Sequence, residues 1–319
     1  MKNRIVFFSG GLSSFAVAHH LKKKFPEDNI VLYFTDTKWE DEDLYRFIDE
    51  VSDKLQLPLL KHSEGIDPVR LMIKNRVLFS NRFGECSRFL KMRVARRFIK
   101  SGKKPPFETW VNKQYLKDEN FRDNPVLYFG IAFGELHRLA PIKENWKPFE
   151  VDFPLAKEFY DYDKLLDEWG IRKPSLYMKG FAHNNCKARC VKAGVGHYKL
   201  LYNTDRDTFE EIEHIESMLS LYVAMYHKFK TDPEWKERLK HNEEEMIKWH
   251  ETNFKHIPQL HLVEGLKEYS FIKERTIRSI REEMELGGQL NLLVDGFGGC
   301  GCFVNYEDFK NERLKKNEK

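Results

Sequence analysis

The chain has 319 residues, long enough for one large α/β domain or for a core domain with an appendage. Hydrophobic residues make up 41%, which supports a buried core, and the 33% charged residues balance to +4, so no global field selects nucleic acid. No apolar run approaches the ~20 residues of a membrane span, and Ser9-Gly10-Gly11 interrupts the N-terminal apolar run before it reaches the roughly 7–15 residues of a signal peptide. A cytoplasmic protein that makes no membrane contact is expected.

Ile5 to Phe8 runs straight into Ser9-Gly10-Gly11-Leu12-Ser13-Ser14, and residues 15–25 then carry apolar side chains at helical spacing. The pattern describes a strand, a tight loop and a helix N-terminus. Glycines let the backbone approach oxygens closely, and unpaired N–H groups with the helix dipole favour phosphate there. Ser9, Ser13 and Ser14 add hydroxyls and at least one candidate helix cap. Taken alone, these six residues also fit an ordinary Ser/Gly-capped turn.

Strand-like runs recur at 4–8, 30–34, 57–61 and 126–131, with helical spacing at 41–55. Continuous apolar strands alternating with helices predict a parallel sheet covered on both faces. Ligands of such sheets sit at the carboxyl ends of the strands, which gathers the 9–14 loop, Thr35-Asp36-Thr37, His62-Ser63 and the segment after Ile131.

Residues 86–100 read as a basic amphipathic helix, with Arg88, Lys91 and Arg96 near one face and Phe89, Val94 and Phe98 for packing. Such a face suits phosphate, an anionic sulfur species or plain water, and its acceptor is equally nucleic acid or a small anion. Segments 103–107 and 118–125 are loop-like. From 207 to 256 the chain is heavily charged and helical, with an Ile212, Ile215, Leu219 and Tyr222 stripe expected to pack as a hairpin on the core. Another helix spans 272–286 and stops at Gly287-Gly288. These shifts divide the chain into an α/β domain over 1–204 and a helical region over 205–319 that packs back on it. The oligomeric state has no signature here.

Five cysteines is an odd number, and the spacing is not that of a small disulfide framework. Cys86 stands alone, while Cys186 with Cys190 and Cys300 with Cys302 form two close pairs. They read as halves of a soft-metal or iron–sulfur site, the alternative being scattered buried thiols. His183 and His197 flank the first pair as ligands, bases or, more commonly, hydrogen-bonded structural residues.

In this order the segments resemble the phosphoadenosine phosphosulfate reductase family of PP-loop ATP pyrophosphatases. Its Ser-Gly-Gly-x-Asp-Ser loop is matched by residues 9–14 except at Ser13, and Asp36-Thr37 falls where the family has Asp-Thr. Cys86 to Lys91 is similar to its Cys-Cys-x-x-x-Lys segment, and Gly130-Ile131, Glu135 and Arg138 to its Gly-(Val/Ile)-Arg…(Glu/Gln)-Ser…Arg element. Pro154-Leu155, Asp163, Tyr177, Gly180 and Cys186 resemble the Pro-Leu…Asp…Tyr…Gly…Cys-x-x-Cys block. Three further segments look like a reductase-like subgroup frequent in phage and bacterial sequences: Phe34 to Tyr45, Asn184-Asn-Cys and Gly298-Gly-Cys-Gly-Cys. The family's terminal Glu-Cys-Gly-(Ile/Leu)-His segment is missing, Ala132 replaces an arginine, and three residues rather than two separate Cys186 from Cys190.

The resemblance implies an adenine nucleotide alpha-hydrolase-like fold, Rossmann-like with an added helical region. It implies ATP or a related nucleotide, with Mg2+, held by Ser9, Gly10, Gly11, Ser13, Ser14, Asp36, Thr37, Arg88, Gly130, Glu135 and Arg138. A [4Fe–4S] cluster is implied on Cys86, Cys186, Cys190 and one of Cys300 or Cys302, leaving a free catalytic thiol to carry a persulfide, while Lys91, Arg88 and Arg138 neutralise the remaining anionic oxygens. The first reading is a sulfur transferase that activates its substrate by adenylylation. A sulfonucleotide reductase using Cys302 and a non-catalytic nucleotide-binding module are the alternatives.

Overall fold

The computed structural model describes residues 1–81, 84–291 and 295. Strand β1 (Asn3–Phe7) leads through helix α1 (Leu12–Lys24) to β2 (Asn29–Thr35), and α2 (Glu42–Leu55) leads on to β3 (Leu59–Ser63). Helix α3 (Pro68–Asn75), a π-helical turn (Ser87–Met92) and α4 (Arg93–Ser101) precede β4 (Phe107–Val111). Strand β5 (Val126–Tyr128), helix α5 (Leu139–Trp146) and β6 (Glu150–Asp152) complete the sheet. Six α-helices follow among the described residues: α6 (Tyr162–Trp169), α7 (Ser175–Met178), α8 (Val195–Thr204), α9 (Arg206–Phe229), α10 (Lys236–Glu251) and α11 (Ile277–Glu285).

The strand order is β4-β3-β2-β1-β5-β6, parallel throughout except for β4, which runs antiparallel to β3. Successive side chains point to opposite faces, and both faces are covered. Val6, Leu32, Leu59 and Tyr128 pack with Phe15 of α1, Phe47 of α2 and Leu166 of α6. Ile5, Val31, Leu60 and Leu127 pack on the other side with Phe98 of α4 and Trp146 of α5. The expected Rossmann-like α/β sheet is therefore present, and its double burial explains the unbroken apolar runs. Because the strand order leaves β1 in both directions, β1 and β5 flank the switch point at which such sheets bind ligands.

A third core joins α3 to the helical region. Met72 and Phe79 meet Phe209, Tyr222, Trp249 and Phe271, together with Cys186 and Cys190. Each of those large side chains, fully buried, contributes roughly 1.5–3 kcal/mol by leaving water. The hairpin expected over 207–256 is present as α9 and α10, and α11 packs against α8 and α9. Helix α11 starts at Ile277 rather than 272 because the Thr276 hydroxyl caps the N–H of Ser279 and an isolated bridge joins Ile272 to Arg275. Strands β4 and β6 lie at the two sheet edges. One follows a Pro-Pro pair and the other has three residues, so neither shows the apolar run of an inner strand. Among the described residues, no helix is long and apolar enough to cross a membrane.

Candidate active site

The 9–14 loop leaves the carboxyl end of β1 and opens α1. Gly10 has φ +78, and a Cβ there would lie 2.8 Å from Leu44 Cγ, so only glycine suits the turn. Gly11 is the N-cap, and no described side chain caps it. The serines do not fulfil the capping role expected of them, since Ser13 and Ser14 already lie in the first helical turn. Ser14 Oγ instead donates to Gly11 O at 2.8 Å, and Ser13 Oγ pairs with Tyr162 OH at 3.1 Å. An uncapped helix start with glycine behind it leaves N–H groups free to receive a phosphate. Gly130, just after β5, closes its far side: a Cβ there would fall 2.8 Å from the backbone carbon of Ser13.

Two depressions flank the loop. One of about 450 Å³ is lined by Leu12, Ala132, Phe133, Leu155 and Tyr162. Another of about 340 Å³ lies beyond β2 and β3, lined by Asp36, Lys38, Tyr45, His62, Ser63 and Phe107. Buried Asp36 accepts the Lys38 N–H and the Tyr45 hydroxyl, both at 2.8 Å, and lies 2.9 Å from Lys38 Nζ. His62 bridges Tyr33 OH and Glu108, and burial lowers its pKa despite that carboxylate.

The third component is a cluster of thiols. Cys186 and Cys190 are buried and hydrogen-bonded to each other, with Cys86 alongside. The shared proton, then burial and Glu40, push Cys186 up. The same hydrogen bond, helped by the Lys192 N–H and Lys91, holds Cys190 down against burial. Burial, followed by Cys190, pushes Cys86 up to about 12. Lys91 lies among them, 3.4 Å from Glu40. Its burial lowers the pKa, but Glu40 and the three sulfurs outweigh that and leave it raised. Ser87 Oγ, His183 Nδ1, Asn184 Oδ1 and Asn185 Oδ1 are buried here without partners among the described residues. Groups of that kind call for a ligand or water.

Two contacts fasten this cluster to the loop. Asn184 Nδ2 donates to Gly10 O at 3.1 Å, and Tyr177 OH accepts the Leu12 N–H at 3.3 Å. The 9–14 loop and the thiols are thus neighbours on one sheet end. The model of the phosphoadenosine phosphosulfate reductase domain matches residues 3–181, more than half of the chain. The chain belongs to this family. No curated protein matches it.

Within this reductase-family chain the sequence-derived residues fall into three groups. Ser9, Gly10, Gly11, Ser13, Ser14 and Gly130 form the loop and its backing, with Asp36 and Thr37 at the end of β2. Lys91, Cys86, Cys186 and Cys190 form the thiol pocket. Arg88, Lys91 and Arg96 do not share a face, a correction to the helical reading of 86–100. The π-turn, closed by Arg93 N to Arg88 O, adds a residue to the turn, burying Lys91 and leaving Arg88 exposed beside Glu85. Arg138 is buried and bonded to Glu135.

Cys300 and Cys302 lie outside the described residues. Among those described, no three His, Cys, Asp or Glu side chains are spaced to hold a metal ion. His197 is structural, donating from Nε2 to Ala188 O at 2.7 Å. Sequence reading missed Glu40, hidden in the acidic run before α2, and the loop contacts of Tyr162, Tyr177 and Asn184. All four lie in or near segments that carry the family likeness, but only their partners in the fold distinguish them from the polar residues around them.

Proposed function

We propose that this protein is an adenine-nucleotide enzyme that activates a substrate oxygen by adenylylation for sulfur transfer. The observation that carries this reading is the Asn184–Gly10 hydrogen bond, which sets the thiol turn directly on the phosphate loop. In this scheme the phosphates occupy the 9–14 loop, and Asp36 and Thr37 serve the ribose or a magnesium-bound water. Gly130, Glu135 and Arg138 border the same end of the sheet. The substrate oxygen attacks the α-phosphorus and pyrophosphate leaves. A sulfur nucleophile then displaces AMP. First-turn N–H groups of α1 stabilise the charge that grows on the phosphoryl oxygens.

What supports an iron–sulfur cluster here is donor chemistry: two buried cysteines and a half-buried third, with a buried lysine and unpartnered polar atoms beside them. Cys86, Cys186, Cys190 and one of Cys300 or Cys302 would hold it, leaving the other as a free thiol. When bound, a [4Fe–4S] cluster supplies iron for sulfur binding. Lys91 keeps a positive charge against the thiols, and burial excludes water from them.

The family match favours a second reading, reduction of a sulfonucleotide such as adenylyl sulfate. Product analysis on anaerobically purified protein separates the two. Pyrophosphate and AMP from ATP with a sulfur acceptor support adenylylation, whereas sulfite from a sulfonucleotide without ATP turnover supports reduction. Tight nucleotide binding with neither product would leave a binding module. Metal analysis should give about four irons per chain; stoichiometric zinc without iron would sink the cluster.

A further inference from the structure

Glu40 has a side chain with no solvent exposure, and it joins three segments. Its Oε2 accepts the backbone N–H of Cys186 at 2.5 Å, and its Oε1 accepts the Thr37 hydroxyl at 2.9 Å. Lys91 Nζ lies 3.4 Å from Oε1. One carboxylate thus touches the end of β2, the π-helical turn and the thiol turn.

The thiol turn is unusual in its backbone. Cys186, Lys187 and Ala188 have φ of 59, 48 and 57, three successive left-handed residues of which none is glycine. L-residues avoid this region, and runs of it persist only where the surroundings hold them. Three bonds hold this one: Glu40 on the Cys186 N–H, His197 on Ala188 O, and Arg189 N–H on Cys186 O at 2.8 Å. Of these, only the Glu40 bond also reaches β2, through Thr37, next to Asp36.

We infer that Glu40 is the positioning residue that keeps the Cys186–Cys190 turn closed and ties its state to occupancy of the nucleotide end of β2. The second half rests on the nucleotide reading above; the first does not. A ligand that moves Asp36-Thr37 pulls on the carboxylate that holds the Cys186 N–H, so the thiols respond. By reciprocity, opening the turn changes nucleotide affinity by the same factor.

Iodoacetamide labelling of the full-length protein, read at each cysteine by peptide mass spectrometry with and without ATP, tests this. Without nucleotide, and with any bound iron first removed by chelator so that each thiol titrates on its own, Glu40→Ala should label at Cys186 and Cys190 about tenfold faster than wild type by local opening, with Cys86 unchanged. Glu40→Gln retains an oxygen for the Cys186 N–H and should label near the wild-type rate. ATP should change wild-type labelling about fivefold, and neither variant.

Equal labelling of wild type and Glu40→Ala would overturn the positioning role, as would a rise extending equally to Cys86. A full ATP response in Glu40→Gln would overturn the coupling even if the alanine variant fails to fold. Wild type that binds no ATP by calorimetry would count against the nucleotide reading and remove the coupling with it, while the nucleotide-free comparison still decides positioning.

Discussion

Gly130 lacks a side chain because the backbone of the first turn of α1 occupies that space, at 2.8 Å from the position a Cβ would take. Gly130→Ala should therefore push α1 off its phosphate-binding pose at an overpacking cost of about 1–3 kcal/mol. Calorimetry should find ATP affinity reduced about tenfold or more, the equivalent of the middle of that range; undiminished affinity would show that the nucleotide lies elsewhere. Two buried histidines behave differently, through protons rather than sterics. Burial, then Lys91 for one and His183 for the other, lowers His183 and His197 from 6.5 to about 4. Their unfolded forms take up protons first as the pH falls, so their contribution to stability is full above pH 6.5 and is lost between 6.5 and 4. The loss is at most about 3 kcal/mol per group. Melting temperatures of wild type and His197→Gln should diverge at pH 7 and converge toward pH 4.5, because glutamine keeps a donor for Ala188 O but cannot titrate.

At the scale of elements, α9 organises the helical region through one buried acid. Glu216 accepts the N–H groups of Phe271 at 2.7 Å and Ile277 at 2.6 Å, fixing the turn that launches α11. Burial pushes its carboxyl up to about 7 against those two hydrogen bonds. The stability it gives is present below pH 4.5 and is lost as the pH rises through 7, opposite in sign to the histidines. Glu216→Ala orphans two buried donors and should cost about 2–4 kcal/mol, read as a lower midpoint in urea. ATP affinity should remain within error, since none of these groups reaches the loop. A large loss of affinity would mean that α9 and the nucleotide site share a cooperative unit.

Across the whole molecule, the third core ties the two halves of the chain together. Val69, Met72 and Ile73 of α3 pack in one cluster with Ile212, Leu219 and Met246 of the helical region. A chain ending at Thr204 would expose that apolar face, and patches larger than a few hundred Å² drive association. Such a truncation should therefore elute as aggregate in size-exclusion chromatography; a monodisperse, ATP-binding fragment would show that residues 1–204 fold alone.

The amino-acid sequence alone determined the sheet, because double burial demands unbroken apolar strands, and it determined the phosphate loop, because only glycine meets the φ of Gly10 and the crowding at Gly130. It also marked Cys186 and Cys190 as neighbours through their spacing, and folding sets Cys86 beside them. Edge strands β4 and β6 escaped, since an edge needs no apolar run. Tertiary structure decided which cation enters the thiol pocket: a π-turn rotates Lys91 inward, and no periodicity of 3.6 foretells that. It alone revealed Glu40, whose role depends on Thr37, Lys91 and Cys186 meeting across 149 positions of chain. Local patterns record what a residue needs beside it in sequence, whereas a buried charge is defined by partners that only folding brings near.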